Sequence, residues 1–198
     1  MKLFNTLGLL ALLFLSNGFS QQDVNVLIVY YSEQGHTKTL AEAVAKGARS
    51  AGGVTVVLKT VAEATTPDVL AADAIIVGSP VYNANLAPEV QKFINSWPFE
   101  GAPLRDKIGA AFVTAGGFSA GEELVQMNIL HAMLVFGMIV VGGPDWQQPF
   151  GASGIVGEQP FEMEKQAGKI DEQFLAKGRA LGKRVAELAW RWKKAAAR

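Results

Sequence analysis

Cysteine is absent from the 198 residues of this chain. Its absence excludes disulfides, thiolate catalysis and cysteine metal ligands, and it leaves the redox compartment undecided. An excess of one charge is also missing, because 18 Lys and Arg residues balance 18 Asp and Glu residues. A neutral balance gives no electrostatic footprint for nucleic acid, so we predict no nucleic-acid partner. A small basic cluster at the C-terminus is best explained as cations that complement the dipole of the last helix.

The first 20 residues have the features of an export signal. Lys2 gives a positive start, Leu7 to Leu15 form an apolar core, and small residues follow up to Ser20. We therefore predict a signal peptide over residues 1–20, cleavage near Ser20, and a protein that is periplasmic or secreted. The apolar run is short for a transmembrane helix, so an uncleaved anchor is the alternative. After cleavage, the remaining chain is expected to have no stable membrane span.

The rest of the chain, residues 23–193, suits a single domain with a sizeable core. Apolar runs typical of buried strands alternate with segments of helical periodicity. The predicted strands are Val26–Tyr31, Val54–Leu58, Ala74–Val77, Ile108–Thr114 and Met138–Val141. Strands that alternate with helices and are apolar throughout predict an α/β fold with an open, doubly wound parallel sheet that helices cover on both faces.

Helices are predicted between these strands and after the last one. The first carries Leu40, Val44 and Ala48 at helical spacing, a brief one covers Asp68–Ala72, and a third runs from Pro88 to Trp97 with Val90, Phe93, Ile94 and Trp97 inward. A fourth begins at Glu122 and continues through Leu124, Met127, Leu130 and Leu134. The segment from Gly142 to Gln159 is predicted to be irregular. The final helix is placed from Glu164 to Trp192, with an inner stripe of Ile170, Phe174, Leu181, Val185, Leu188 and Trp192, and with Gly168, Gly178 and Gly182 weakening it or allowing close packing.

A short loop joins the first strand to the first helix, with the sequence Ser32-Glu33-Gln34-Gly35-His36-Thr37. Free backbone N–H groups and the helix dipole at such a place favour an anion, and the hydroxyl groups add donors. Neither GxxxxGK[ST] nor GxGxxG occurs in the loop, which favours a monophosphate over a nucleoside triphosphate or a dinucleotide. The alternative is a helix start that serine and threonine cap without any ligand.

Two further loops of the same character follow other predicted strands. Residues Ser79–Asn85 and Thr114–Ser119 are, like the first loop, rich in glycine, hydroxyl groups or amides. Ligands of open parallel sheets bind beyond the carboxyl ends of the strands, where the strand order reverses. Three such loops at equivalent places predict a ligand site, and none of them carries a strong cation or a residue pair typical of a catalytic dyad.

The segments YYSEQGHT, GSPVYNANLA, FVTAGGFSAGEE, FGMIVV and PFGAS resemble, in order and spacing, the flavodoxin-like NAD(P)H:quinone oxidoreductases of the tryptophan-repressor-binding-protein type. The resemblance covers nearly everything from Val24 to the last helix. It implies a flavodoxin-like five-stranded sheet of order 2-1-3-4-5, FMN as the cofactor, NAD(P)H and a quinone-like molecule as substrates, and a homo-oligomer, either a dimer or a tetramer.

The resemblance also assigns the cofactor contacts to the three loops. It implies that the phosphate is held by Ser32, Gln34, Gly35, His36 and Thr37. One side of the isoalloxazine would be lined by Ser79, Pro80, Val81, Tyr82, Asn83 and Asn85, and its other edge by Thr114, Ala115, Gly116, Gly117, Phe118 and Ser119. A flat, mostly apolar ring suits this arrangement, because glycine backbone approaches it closely and Tyr82 or Phe118 can stack on it.

One departure from the family concerns the residues before Gly137-Met138. The family has histidines there, near the flavin, whereas this chain has Val135 and Phe136, and His131 lies about one turn upstream. Two other functions stay open at this point. One is an exported electron carrier of the flavodoxin type without its own substrate turnover, although such carriers are strongly acidic. The other is a flavin-binding or structural descendant without activity.

Overall fold

A computed structural model of the chain describes residues 24–162 and 166–196. The predicted signal peptide lies outside the described residues. Within these two ranges, no helix combines the length and the apolar character that crossing a membrane requires.

The described chain alternates strands and helices in the predicted order. Its strands are β1 (Val24–Tyr30), β2 (Val54–Thr60), β3 (Ala74–Tyr82), β4 (Asn85–Leu86), β5 (Ile108–Ala115), β6 (Ile139–Val140) and β7 (Ala152–Ile155). Its helices are α1 (His36–Arg49), α2 (Thr66–Ala71), α3 (Pro88–Asn95), α4 (Glu122–Val135) and α5 (Glu172–Ala196).

The strands form one sheet in the order β2-β1-β3-β5-β6, and β7 also pairs with β5. Every pairing is parallel except that of β4, which forms an antiparallel hairpin with β3. Helices α1 and α5 pack on one face of the sheet, and α3 and α4 pack on the other. The predicted doubly wound sheet of order 2-1-3-4-5 is therefore confirmed.

The fifth position of the sheet differs from the prediction of one strand and an irregular tail. Two short strands share this position, since β6 pairs with Ile108 and Gly109 at the start of β5, and β7 pairs with Phe112 to Ala115 at its end. A loop of residues 141–151 separates them. The prediction that the whole of Gly142–Gln159 is irregular is wrong for β7. Its four residues, ASGI, are too few to show an apolar period.

The fourth helix is confirmed, but its leucine spacing does not identify the buried side. Leu124 and Leu134 are 53% and 52% exposed, whereas Val125, Ile129 and Met133 are fully buried. The helix carries apolar residues around its whole circumference. Periodicity in such a helix does not distinguish inner from outer positions.

The last helix begins at Glu172, eight positions after the predicted Glu164, which lies among the undescribed residues. Asp171 starts it, because its carboxylate accepts a hydrogen bond from the Gln173 N–H at 3.0 Å. Residues 166–170 before it are not helical. The predicted inner stripe is confirmed for Phe174, Leu181 and Val185, but Trp192 at its end is 47% exposed.

Helices α1 and α5 pack closely against each other at glycine residues, where a side chain would collide with the facing helix. A Cβ atom on Gly182 would lie 1.9 Å from the Val44 carbonyl oxygen, and one on Gly47 would lie 1.9 Å from the Arg179 carbonyl oxygen. Gly178 similarly leaves no room beside Leu40, where a Cβ would lie 2.8 Å from Cδ1. The prediction that glycine in the last helix allows close packing is confirmed for Gly178 and Gly182. This contact fixes α1, and hence the loop that precedes it.

Candidate functional site

The carboxyl ends of β1, β3 and β5 meet at one edge of the sheet. The parallel register places Tyr30 beside Gly78, and Pro80 beside Thr114. The loops that follow surround a cavity of about 290 Å³, near the lower end of the roughly 300–1,000 Å³ typical of ligand pockets. The cavity is lined by Ser32, Glu33, Gln34, His36, Thr37, Pro80, Val81, Tyr82, Thr114, Ala115, Gly116 and Val156.

The first helical turn of α1 is not capped by a side chain. Gly35 is the N-cap residue, its φ of 90° lies in the left-handed region, and no side-chain cap hydrogen bond is formed there. The Ser32 hydroxyl instead accepts a hydrogen bond from the Gly35 N–H at 3.1 Å. The capping interpretation of this loop is therefore wrong. With no acidic residue in its first turn, α1 presents its amides and the positive end of its dipole to an anion.

A buried pair of hydroxyl groups joins the first loop to the third. Thr37 Oγ1 lies 2.7 Å from Thr114 Oγ1, and the two residues are only 2% and 4% exposed. The hydrogen bond fixes the first turn of α1 against the end of β5. It thereby fixes the distance between the phosphate end of the cavity and the third loop.

The segment of residues 166–170, here called the strap, is bound to the first loop. The Gly168 N–H donates to the Gln34 carbonyl oxygen at 2.9 Å, and the Thr39 hydroxyl donates to the Gly168 carbonyl oxygen at 2.6 Å. His36 Nδ1 lies 2.9 Å from the Lys169 carbonyl oxygen. Because a carbonyl oxygen only accepts, Nδ1 carries the proton. The sequence analysis missed the strap, since it assigned these residues to the last helix.

Glu33 and Val156 line the cavity but were not among the predicted site residues. The Tyr82 hydroxyl donates to Glu33 Oε2 at 2.9 Å, which links the second loop to the first. Burial, followed by this hydrogen bond to the carboxylate, raises the pKa of Tyr82 to about 12. Val156 follows β7, the strand that the sequence analysis did not identify. The residue types gave no signal for either position.

Three residues of the second predicted loop are not part of this lining, and two of them, Asn83 and Asn85, are exposed beside a neighbouring open cavity that shares Val81 and Tyr82. Ser79 is fully buried, and its hydroxyl accepts from the Ala87 N–H at 2.9 Å and donates to the Pro80 carbonyl oxygen at 2.7 Å. Asn83, whose φ is 51°, lies in the tight turn between β3 and β4. The Asn85 side-chain amide donates to the Asn83 carbonyl oxygen at 3.0 Å. Ser79, Asn83 and Asn85 therefore shape this loop, and the cavity is lined by Pro80, Val81 and Tyr82.

The third loop contributes Thr114, Ala115 and Gly116 to the lining, whereas Gly117, Phe118 and Ser119 lie outside it. The Phe118 N–H donates to Glu158 Oε2 at 2.6 Å, and the Ser119 N–H donates to Glu122 Oε1 at 2.8 Å. The Phe118 ring packs against Phe161 and Phe174, with centroids 6.0 and 6.5 Å apart. Phe118 thus joins an aromatic cluster beside the cavity.

Val135 and Phe136 lie far from the cavity of the same chain. They are the residues before Gly137-Met138, where the resemblance leads one to expect histidines. They end α4 just before β6, which pairs with the first residues of β5, at the amino edge of the sheet. His131 is exposed on α4. No group of three or more potential metal ligands occurs among the His, Asp and Glu residues in the described ranges.

The residues around the cavity fit FMN. One end offers uncapped helix amides and the Ser32 and Thr37 hydroxyl groups, which suit a phosphate. The other end offers Pro80, Val81 and the small residues Ala115 and Gly116, which suit a flat ring. A Cβ atom on Gly116 would meet nothing within 4 Å, so this wall faces open space.

Comparison with known proteins also supports FMN as the bound group. Residues 57–152 match the family described as NADPH-dependent FMN reductase. The chain is 36% identical over 198 residues to the NAD(P)H dehydrogenase (quinone) of Azorhizobium caulinodans, covering 83% of this chain and 96% of that one. It is 37% identical over 172 residues to a flavodoxin of Aquifex aeolicus, covering 82% and 85%.

Among solved structures, the fold is similar to that of the flavodoxin, WrbA-like protein from Agrobacterium tumefaciens. The TM-score is 0.69 at 23% identity, over 85% of this chain and 99% of that chain. The uncapped start of α1, the small residues that line the cavity and the relatives agree on FMN as the cofactor. The chain belongs to the family of flavodoxin-like, FMN-dependent NAD(P)H dehydrogenases (quinone).

Proposed function

We propose that this protein is an FMN-dependent oxidoreductase that passes a hydride from NAD(P)H to a quinone-like acceptor. One observation carries the proposal: three strand-end loops converge on one open cavity, which is lined by the uncapped start of α1 and by the small residues Ala115 and Gly116. The relatives named NAD(P)H dehydrogenase (quinone) support the choice of donor and acceptor. When bound, FMN would accept the hydride and release it to the second substrate.

The chain's own residues bind and orient in this mechanism. The α1 amides with Ser32 and Thr37 would hold the phosphate of FMN, and Pro80, Val81 and Gly116 would position its ring. No protein nucleophile is required. Because one open cavity serves both substrates, we expect ping-pong kinetics, in which the oxidised donor leaves before the acceptor enters.

The first experiment measures turnover. Residues 23–198 are purified and loaded with FMN, and the oxidation of NADH and NADPH is followed with and without a benzoquinone. We expect stoichiometric FMN and quinone-dependent oxidation. Protein that stays colourless with added FMN would refute the proposal.

A graded pair of variants ties the activity to the cavity. A Cβ atom on Gly116 would meet nothing within 4 Å, so we expect Gly116→Leu to extend into the cavity, fill the ring site and leave the fold intact. Gly116→Ala adds a single methyl group and should retain most FMN binding. Equal FMN affinity in the two variants, each folded as judged by circular dichroism, would contradict this placement of the ring.

The relative named flavodoxin keeps an electron carrier as the second candidate. The two candidates differ in turnover, since a carrier would bind FMN but fail to oxidise NAD(P)H when the quinone is added. The balance of 18 basic and 18 acidic residues favours the enzyme, because docking of an acidic carrier needs a charged surface.

We further propose that residues 1–20 direct export, on the support of Lys2 and the apolar run Leu7–Leu15. Cell fractionation should find the full-length chain in the periplasm or the medium, shortened near Ser20. A variant without residues 1–20 should stay inside the cell. Equal distribution of the two forms would refute export.

We also propose that the protein forms a dimer or a tetramer. Large apolar side chains are exposed near the amino edge of the sheet, including Phe99 at 65% and Val135 at 69%. Exposed apolar groups of this size are typical of protein interfaces. Light scattering coupled to gel filtration should give two or four times the chain mass, and a monomer at micromolar concentration would refute the proposal.

A further inference from the structure

The glycine wall of the cavity is held from outside by the chain that follows β7. Beyond the ends of β5 and β7, the Val156 N–H donates to the Ala115 carbonyl oxygen at 3.0 Å, and the Gly157 N–H donates to the Gly116 carbonyl oxygen at 2.8 Å. The ladder thus continues along the residues that line the cavity. It ends at Glu158, whose carboxylate accepts a hydrogen bond from the third loop.

The Glu158 carboxylate binds the third loop directly behind the cavity lining. Its Oε2 accepts the Phe118 N–H at 2.6 Å, a short distance typical of charge-assisted hydrogen bonds. A Cβ atom on Gly117 would lie 2.7 Å from the same oxygen, so the carboxylate fits closely against the glycine. Glu158 therefore fixes the backbone of Gly116 to Phe118 through a contact that lies next to the cavity.

This contact places a negative charge behind the wall. Glu158 is exposed, and Glu122 adds a second carboxylate on the Ser119 N–H at 2.8 Å. No basic side chain forms an ion pair with either residue among the ion pairs of the described ranges. The wall of Gly116 to Phe118 is thus backed by two carboxylates on the side away from the cavity.

We propose that Glu158 is a positioning residue of the FMN site. Its carboxylate holds the Gly116–Phe118 wall through the Phe118 N–H, and its charge weakens the binding of reduced FMN relative to oxidised FMN. This inference rests on the FMN site of the proposed function. Reduced FMN carries more negative charge on its pyrimidine edge than oxidised FMN at mildly alkaline pH. A fixed carboxylate nearby therefore repels the reduced form more strongly.

Two substitutions separate the clamp from the charge. Glu158→Gln keeps an acceptor oxygen for the Phe118 N–H and removes the charge, whereas Glu158→Ala removes both. Glu100→Gln removes an exposed carboxylate beyond α3, at the opposite edge of the sheet, and serves as the matched control.

The charge is tested by FMN affinity in both oxidation states. Fluorescence titration gives the Kd of oxidised FMN, and a dye-linked reduction gives the midpoint potential and hence the Kd of the reduced form. Relative to wild type, Glu158→Gln should improve the binding of reduced over oxidised FMN at least about threefold, because it removes a negative charge beside the wall. The change should shrink at high salt. A ratio within experimental error of the wild-type and Glu100→Gln ratios would overturn the charge effect.

The clamp is tested without FMN, by hydrogen exchange of the apo protein. Glu158→Ala should speed exchange of the Phe118 amide at least about tenfold, while Glu158→Gln should stay within about threefold of wild type. Unchanged exchange in Glu158→Ala would overturn the clamp. A wild-type protein that binds no FMN would instead overturn the proposed function, and the exchange result would still decide whether Glu158 holds the loop.

Discussion

Replacing Thr37 with valine removes one partner of the buried hydroxyl pair at the base of the cavity. The Thr37 and Thr114 hydroxyl groups lie 2.7 Å apart, and both residues are almost fully buried. Valine has nearly the same shape as threonine, so packing is preserved. The change therefore isolates the hydrogen bond that joins the first turn of α1 to the end of β5.

The expected cost follows from the hydroxyl group that remains. Leaving a buried polar group without a partner costs about 1–3 kcal/mol, whereas replacing both partners with apolar groups of the same shape is nearly neutral. Thr37→Val and Thr114→Val should each destabilise the protein by about that amount, which lowers the Tm by roughly 2–4 °C per kcal/mol for a chain of this size. The double variant should be less destabilised than the sum of the two single variants.

The measurement is urea unfolding of the apo protein, so that FMN affinity does not enter the free energy. Thr55→Val is the matched control, because Thr55 is exposed in β2 and valine suits a strand. The reasoning would be refuted if Thr37→Val behaved like Thr55→Val, or if the two single effects added up to the double effect within about 0.5 kcal/mol.

Three further predictions concern packing and titration. Gly182→Ala should destabilise the protein by about 3 kcal/mol or more, since its Cβ would lie 1.9 Å from the Val44 carbonyl oxygen. Thermal unfolding measures this effect, and an unchanged Tm would contradict the contact between α1 and α5. The hydrogen bonds of Asp68, first that from Lys59, lower its pKa to about 2, so Asp68→Asn should cost under about 1 kcal/mol at pH 7. Because the folded pKa of Asp68 lies below its unfolded pKa, this contribution to stability is present above pH 4 and disappears as the pH falls toward 2. Urea unfolding of wild type and Asp68→Asn at pH 7 and near pH 2 measures the difference. Ultraviolet titration should show a phenol of pKa about 12 that is absent from Tyr82→Phe, and its persistence in that variant would contradict the assignment.

Much of the fold could be predicted from the sequence, because strong local patterns decide it. The unbroken apolar runs that become β1, β3 and β5 identify buried parallel strands, and Leu40, Val44 and Ala48 identify the inner side of α1. The pattern fails where an element is short or apolar on all sides. It therefore missed β7, and the leucine spacing of α4 did not identify its buried side.

The three loops that form the candidate site were also visible in the sequence. Glycine and hydroxyl residues after buried strands indicate a ligand edge, and ten of the predicted residues line one cavity. The sequence did not reveal Glu33, Val156, the strap or Glu158. These residues take their place from contacts between distant parts of the chain, such as the hydrogen bond from Gly168 to Gln34.

The sequence by itself determined the parallel sheet, the helices that cover both of its faces and the edge at which the candidate site lies, since each follows from the order and polarity of neighbouring residues. Only the tertiary structure decided which loop residues face the cavity and which support them. The sequence does not show that the Ser79 hydroxyl is hydrogen-bonded to nearby backbone groups or that the Phe118 N–H is bound to Glu158. The direction of a side chain depends on what packs behind it, and that is set by residues far away along the chain.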